Sequence, residues 1–237
     1  MKTIILLAGH ATRMRPLSSY LNKGMIPVAG RPLAEYVVRS LVRQGFSELV
    51  FAVTAFPEQL ENYFGDGSRF GAQIEYVARP EPSGTAGEVL ALRPCIPEGE
   101  SFLVHYGDIL TALDLRGMRE LHETTGATAT VGLVTQVEIH AGVGEVSEEG
   151  RLVGFEEKPL VGRPCHAAVD MFGPGVWKYL APGLDFGYHV IPAMLAAGEN
   201  VRGFVDQEAW WMDVGRLSDL EPAGELMEKV RREGQGI

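Results

Sequence analysis

Three short stretches of this chain carry residue types suited to binding phosphates and a hard cation. The first is Gly9-His10-Ala11-Thr12-Arg13-Met14-Arg15-Pro16, with Lys23 following ten residues after Arg13. Small residues let backbone N–H groups close on a phosphate, and two cations beyond the turn can neutralise a polyphosphate. The stretch has neither the Gly-Lys-Ser/Thr ending of a P-loop nor the Gly-x-Gly-x-x-Gly dinucleotide fingerprint. The second is Gly107-Asp108, placed just past an apolar run. An Asp there suits Mg²⁺, which keeps several waters and takes one or two protein carboxylates. The third is Trp210-Trp211-Met212-Asp213-Val214-Gly215, a second Asp beside aromatics. Taken singly, each has a plainer reading as well: a solvated loop, an Asp in a tight turn, a core aromatic pair before a turn. The six histidines (His10, His105, His122, His140, His166, His189) show no His-Glu-x-x-His spacing, so no zinc site is expected. His105, inside an apolar run, is expected in the core, whereas His10 lies within the phosphate loop.

Loops that act together must be held by elements ending at one place. Lys2–Leu7 reads as a strand, Ala34–Arg43 as a helix ended by Gly45, and Leu49–Val53 as a buried strand. Glu58–Phe64 follows as helix, Ile74–Val77 as strand, and Thr85 to about Leu92 as a helix capped by Ser83. Phe102–His105 is strand again and Leu115–Thr125 helix. This alternation is the pattern of βαβ units around a mostly parallel sheet, whose natural site lies beyond the carboxyl ends of the strands. The second half reads differently. Thr128–Thr135, Gly144–Ser147 and Leu152–Glu156 look antiparallel, the last two joined through Glu148-Glu149-Gly150. Ala167–Phe172, Val201–Val205 and Trp210–Val214 add strands, and Val176–Leu180, Tyr188–Ala197 and Ser218–Arg232 add helices. The expected fold is a single α/β domain over 1–237, a Rossmann-like, mostly parallel sheet flanked by helices with an antiparallel extension over the sheet edge.

Composition narrows the function classes. Of 237 residues, 46% are hydrophobic and 22% charged, which excludes wholesale disorder. A net charge of −10 disfavours sequence-independent nucleic-acid binding. No apolar run approaches the roughly 20 residues that span a bilayer. Met1–Gly9 runs straight into a charged loop and reads as a first strand rather than a signal peptide. Cys95 and Cys165 match no Cys-x-x-Cys pattern. A cytoplasmic protein, with neither nucleic acid nor membrane as partner, is expected.

Ile4-Ile5-Leu6-Leu7-Ala8-Gly9-His10-Ala11-Thr12-Arg13-Met14-Arg15-Pro16-Leu17-Ser18, then Lys23 and Met25-Ile26-Pro27-Val28-Ala29-Gly30-Arg31-Pro32, resembles the signature of sugar-1-phosphate nucleotidylyltransferases. That signature reads approximately GxGTRLxPLT, then PKxxxPVxGxP. The resemblance continues in family order at Gly84-Thr85-Ala86-Gly87, Gly107-Asp108, Glu157-Lys158-Pro159, Val190-Ile191-Pro192 and Trp211-Met212-Asp213-Val214-Gly215. It implies an enzyme joining a nucleoside triphosphate to a sugar 1-phosphate, with Mg²⁺ as cofactor and release of pyrophosphate. The catalytic set implied is Arg13, Lys23, Asp108 and Lys158. Nucleotide contacts are implied for Leu7, Ala8, Gly9, His10, Ala11, Thr12, Arg13, Lys23, Arg79, Gly84, Thr85 and Gly107. Sugar-phosphate contacts are implied for Gly142, Glu157, Lys158 and Trp211, and metal ligation for Asp108 and Asp213. The nucleotide part is expected over about 1–126 and the sugar part, with the antiparallel extension, over about 127–237.

Departures from the family pattern are Ala11 for the loop's second glycine, Asn22 for the proline before the lysine, Ala141 for an aromatic, Ala168 for a frequent glycine and His189 for an acidic residue. Ala11 is expected at negative φ, its methyl crowding the phosphate. His10 can compensate by donating to a phosphate oxygen. Arg79 offers donors only, which favours uracil, thymine or the O6/N7 edge of guanine over adenine. Glucose or mannose 1-phosphate is the favoured acceptor. Phosphocholine, an amino-sugar phosphate or a heptose phosphate as acceptor, and a nucleotide-sugar-binding protein without turnover, are the alternatives. Base, sugar and oligomeric state, a homo-oligomer included, are left open.

Overall fold

The structure, a computed structural model, describes residues 1–139 and 141–233, so His140 lies outside the described residues. The chain runs β1 (Thr3–Leu7), the short pair β2 (Pro27–Val28) and β3 (Arg31–Pro32), α1 (Leu33–Arg43), β4 (Glu48–Val53) and α2 (Pro57–Phe64). Then come β5 (Gln73–Ala78), α3 (Gly84–Ala91), β6 (Phe102–Tyr106), β7 (Ile109–Thr111) and α4 (Leu115–Thr125). The second half adds β8 (Ala129–Val134), β9 (Gly142–Val146), β10 (Leu152–Glu157), β11 (Cys165–Phe172), α5 (Ile191–Ala196), β12 (Val201–Asp206), β13 (Trp211–Asp213) and α6 (Leu220–Arg232).

All five residues of β1 are buried, so the strand has no solvent face and must sit inside a sheet. It pairs in parallel with β4 on one side and β6 on the other. The full order is β12-β8-β11-β6-β1-β4-β5, and within it β11 alone runs against its neighbours. The second half therefore supplies three strands to the same sheet as the first. Its antiparallel ribbon, β9 with β10, stands apart from that sheet, as the acidic turn predicts. One core layer, around Leu7, Leu41, Phe51 and Phe64, lies under α1, α2 and α4. The opposite layer, around Ile4, Val50, Phe102, Phe172 and Phe186, lies under α3 and α5. A third cluster fixes α6 through Val28, Tyr36, Val214 and Met227.

Most helix ends follow local chemistry. Gly45 (φ +90) ends α1 with its N–H on the Val42 carbonyl, while Phe46 N–H reaches Leu41 O, the two bonds of a Schellman motif. The Asp114 carboxylate caps α4 by accepting from Arg116 and Gly117 N–H. Three expectations are corrected. Ser83 does not cap α3 with its side chain; Glu88 takes the Ser83 N–H at 2.7 Å, and Asp185 takes Thr85 N–H at 2.9 Å. Val176–Leu180 forms a 3-10 helix over Pro174–Tyr179, and a π turn at Phe186–Val190 precedes α5. Pro192 has no N–H for the usual helical bond, which favours the wider turn before it. Finally, the strand expected at Trp210–Val214 is the shorter β13, and it pairs with β7 outside the main sheet. No described helix is long and apolar enough to cross a membrane.

One contact ties the loops after β1 and β6 to the Lys23 turn. A Cβ added at Gly107 would meet Leu7 Cδ2 at 2.3 Å and the Leu6 carbonyl oxygen at 2.9 Å. A Cβ at Gly24 would meet the same Leu7 atom at 2.7 Å. Both glycines are there because the Leu7 side chain fills the space between them. Gly107→Ala is therefore expected to cost about 1–3 kcal/mol, the usual range for overpacking, read as a lower urea midpoint at unchanged slope.

Candidate active site

Because β1 and β6 are parallel neighbours, their carboxyl ends open on the same side of the sheet. The loop leaving β1 passes Gly9 at φ +110, where nothing stands within 4 Å of the point a Cβ would occupy, leaving the backbone open to a ligand. Ala11 then takes φ 42, ψ 46, and a 3-10 turn follows at Thr12–Met14. The expectation of a negative φ at Ala11 is thus corrected. Met14, 2% exposed, anchors this turn in the core, with its N–H on the Ala11 carbonyl. That anchorage pulls Ala11 into the left-handed region and leaves Arg13 at the cavity.

Lys23 begins a second 3-10 turn. Asn22, almost wholly buried, caps it through Oδ1 to Gly24 N–H, while its Nδ2 donates to Ala55 O and its backbone N–H to Gln59 Oε1. A proline here would lack the N–H that Gln59 accepts, so this departure from the family pattern carries its own anchor. Lys23 Nζ lies 3.1 Å from Asp108 Oδ2. Asp108 follows Gly107, whose N–H bonds to Leu6 O at 3.0 Å.

Asp213 arrives from 105 residues further on. The antiparallel pair β7–β13 sets Asp213 opposite Ile109, and Val214 N–H donates to Asp108 O at 2.9 Å. The point where Gly215 would carry a Cβ is 3.0 Å from Asp213 Oδ1 and 3.1 Å from Arg13 Nη2, so both groups flank that glycine. The Asp213 carboxyl is held above its ordinary range, first by loss of water around its inner side and then by the Asp108 charge; Arg13 and Lys23 pull the other way. Arg13, Lys23 and Asp108 face a cavity of about 270 Å³ lined also by Ala8, Gly9, Ala11, Thr12, Met14, Val214 and Gly215; Asp213 lies next to this wall and not in it.

The remaining predicted residues fall into five places. Leu7 contributes its buried side chain to the core and Gly107 its close approach, as described. His10 is exposed, 3.8 Å from Glu81. Beside α3, Arg79 reaches the Gly87 carbonyl at 3.4 Å, and Gly84 (φ +74) packs so tightly on the Leu184 carbonyl that a Cβ would lie 2.4 Å from it. Thr85 uses its hydroxyl to donate to Asp185 and to accept from Phe186 N–H, joining α3 to the segment before α5. On the ribbon, Gly142 pairs across from Glu157, and Lys158 follows at φ +50. Trp211 donates its indole N–H to Ala167 O at 2.9 Å, fixing β13 to β11.

Two buried histidines behave as core residues. His105 bonds through Nδ1 to Tyr106 O, and burial pushes its pKa down to about 4. His122 bonds to Thr130 and Ser101. A feature missed in the sequence is Asp170, wholly buried, with His166 Nε2 at 2.9 Å. No local motif signals it, because a strand bulge brings the two together. Among the described residues, no group of three or more His, Cys, Asp or Glu is placed to hold a metal. The Asp108–Asp213 pair is a two-carboxylate set, the number Mg²⁺ takes from protein when phosphates and water complete its shell.

The nucleotidyl transferase family model matches residues 2–230. The chain belongs to that family. Among curated members, it is 31% identical over 238 residues to the UTP–glucose-1-phosphate uridylyltransferase of Synechocystis sp., covering 92% of this chain and 61% of that protein. It is 31% identical over 224 residues to the mannose-1-phosphate guanylyltransferase of Mycobacterium tuberculosis, covering 92% and 62% respectively. The chain thus spans about three fifths of these two relatives. Two solved structures share the fold: a Bacillus anthracis protein described as a glucose-1-phosphate thymidylyltransferase in complex with sucrose (TM-score 0.78, 21% identity, 95% of this chain and 94% of that one) and HddC from Yersinia pseudotuberculosis (TM-score 0.75, 17% identity, 95% and 99%).

The geometry of this site sets two expectations. Ala11→Gly relieves a left-handed alanine, and stability should rise by up to about 1 kcal/mol, partly offset by the freer unfolded chain; a lower melting temperature would contradict this. The raised carboxyl of Asp213 penalises the folded state wherever that group is ionised. Asp213→Asn should therefore stabilise the protein at pH 7, and the gain should vanish as pH falls below the ordinary Asp value of 3.8, where both states are protonated. Urea titrations of the pair at both pH values test it.

Proposed function

We propose that this chain transfers a nucleotidyl group from a nucleoside triphosphate to a sugar 1-phosphate, forming an NDP-sugar and pyrophosphate. The observation that carries the reading is the convergence of Arg13, Lys23 and Asp108 on one cavity with the open backbone of Gly9, while Asp213 flanks Arg13 across Gly215 at its wall. Such a transfer needs placement and charge more than a general base. A sugar-phosphate oxygen is already nucleophilic at neutral pH and attacks the α-phosphorus; the α–β bond breaks and pyrophosphate leaves. In this reading Gly9 and its neighbours wrap the triphosphate, Arg13 and Lys23 neutralise it, and Arg79 with Gly84 stands towards the base. Gly142, Glu157, Lys158 and Trp211 form the acceptor side, with Lys158 on the phosphate.

Asp108 and Asp213 would hold Mg²⁺, which when bound screens the phosphates against the attacking anion. Their fit rests on the Asp108 charge, which adds to the cost of ionising Asp213 and which a cation relieves. Lys23 serves twice, pairing Asp108 and facing the donor. The names of the uridylyl and guanylyl relatives support a hexose 1-phosphate as acceptor. A cytoplasmic setting, where nucleoside triphosphates are abundant, accompanies the reading.

Pyrophosphate release, measured for the common nucleoside triphosphates against a panel of sugar 1-phosphates with phosphocholine as comparison, tests it. Release is expected with a hexose 1-phosphate and to be lost with chelator. Nucleotide-sugar binding with no release in any cell of the matrix would leave a binding protein instead. Asp108→Asn and Asp213→Asn should each lower turnover by about two orders of magnitude, the scale of the several kcal/mol a catalytic metal supplies. Lys158→Ala should raise KM for the sugar phosphate more than for the triphosphate, and Lys23→Ala the reverse.

A further inference from the structure

The ribbon of β9 and β10 forms a sheet of its own. A two-stranded ribbon is marginal by itself in water. This one is also apolar where it meets solvent, for Val146, Leu152, Val153 and Phe155 are each 64% exposed. Three of them share a face. Phe155 pairs with Gly144, a Cβ on Gly144 would meet Leu152 Cδ1 at 2.9 Å, and Val146 stands opposite Leu152. Residues three apart on a regular strand lie on opposite faces. Leu152 and Phe155 come to one face because β10 shifts register against β9 between Leu152 and Gly154. An exposed apolar face of this kind marks a surface that another molecule covers.

Each ribbon strand also keeps a free edge, a row of backbone N–H and C=O groups open to pairing. The two edges differ in charge. β9 carries Glu145 and no cation, so two copies of it would bring like charges together. β10 with the residue before it reads Arg151-Leu152-Val153-Gly154-Phe155-Glu156, a cation at one end, a carboxylate at the other and apolar side chains between. Such a segment complements itself when antiparallel. A twofold axis between Val153 and Gly154 sets Arg151 opposite the second copy's Glu156, Leu152 opposite its Phe155 and Val153 opposite its Gly154, and symmetry makes each pair twice. The faces agree as well. Leu152 and Phe155 continue the apolar face across the axis, and Arg151 and Glu156, one step beyond each, fall together on the other face.

We propose that this chain forms a homodimer in which β10 pairs antiparallel with β10 of a second copy, giving a four-stranded sheet in the order β9-β10-β10-β9. The paired stretch runs from Arg151 to Glu156, so Glu157 and Lys158 stay outside it. The inference is independent of the reaction the chain performs.

Sedimentation equilibrium across the micromolar range tests it. The wild-type protein should show a monomer–dimer equilibrium, and a monomer throughout would overturn the proposal. Arg151→Glu sets two carboxylates opposite each other at both pairs, Glu156→Arg sets two guanidinium groups there, and each should weaken dimerisation about tenfold or more. An equimolar mixture of these two variants restores opposite charges at both pairs and should dimerise as tightly as the wild type. Misfolded variants could not recover on mixing, so recovery also shows that both are folded. Phe155→Ser removes the apolar contact and should leave the monomer. A dimer indifferent to all three substitutions, or single variants that stay apart when mixed, would overturn the pairing.

Discussion

Everything at the candidate site depends on where the Leu7 side chain sits. Its Cδ2 fills the space that a Cβ at Gly24 or at Gly107 would need. Close packing of this kind fixes distances, because neither neighbour can move without opening a void or a clash. One leucine at the end of β1 therefore sets the spacing of the loop after β1, the Lys23 turn and the Asp108 turn. The Lys23–Asp108 ion pair at 3.1 Å is a consequence of that packing more than its cause, since a partly exposed pair contributes little by itself. Apolar packing does the positioning and leaves the charges for binding.

The second constraint is electrostatic. Asp108 lines the cavity with Arg13 and Lys23, and Asp213 flanks Arg13 at Gly215, so the site's own charges almost balance while the chain carries −10 overall. A site of this kind does not attract a triphosphate through the net field of the protein. In the proposed reaction the triphosphate is met by local cations and by the open backbone at Gly9. Asp213 registers the tension, for its carboxyl is held high by partial dehydration and by Asp108, against the pull of the two cations. A divalent cation between the carboxylates would reverse that balance by favouring both ionised forms.

How far the sequence discloses this depends on the range over which each signal acts. The alternating strands and helices of the first half are legible because periodicity and caps are local, and the Gly45 termination of α1 is a single-residue signal. The Gly9–Pro16 loop and Gly107-Asp108 can be singled out in the sequence, since small residues and charges lie adjacent in the chain. That Asp213 belongs with them is carried by resemblance; the physical link is the β7–β13 pairing, and β7 is three residues long and too short to announce itself by pattern. The cap on α3 is misread for the same reason. Ser83 is the obvious local candidate, but Asp185, about 100 residues away, makes the bond. The His166–Asp170 pair is hidden further still, because a strand pattern places those residues far apart and only a bulge joins them.

Backbone strain is distributed with the same logic. Of the non-glycine residues at positive φ, Ala11 lies in the loop after β1, Lys158 follows the ribbon strand that ends at Glu157, and Ala168 sits in the bulge of β11. Each left-handed residue costs on the order of 1–2 kcal/mol, so three of them persist only if their surroundings overrule local preference. The surroundings differ. Met14 is buried beneath Ala11, and the Asp170 ion pair and the Trp211–Ala167 bond bracket Ala168. Lys158 instead follows an exposed two-stranded ribbon, which is the least stable unit of the fold. Two of the strained positions are therefore locked by the core, whereas the third is free to relax at little cost. The donor side of the site is accordingly built in advance of any ligand, and the acceptor side, where Lys158 meets the sugar phosphate in the proposed reaction, is the part whose geometry a bound substrate can still set.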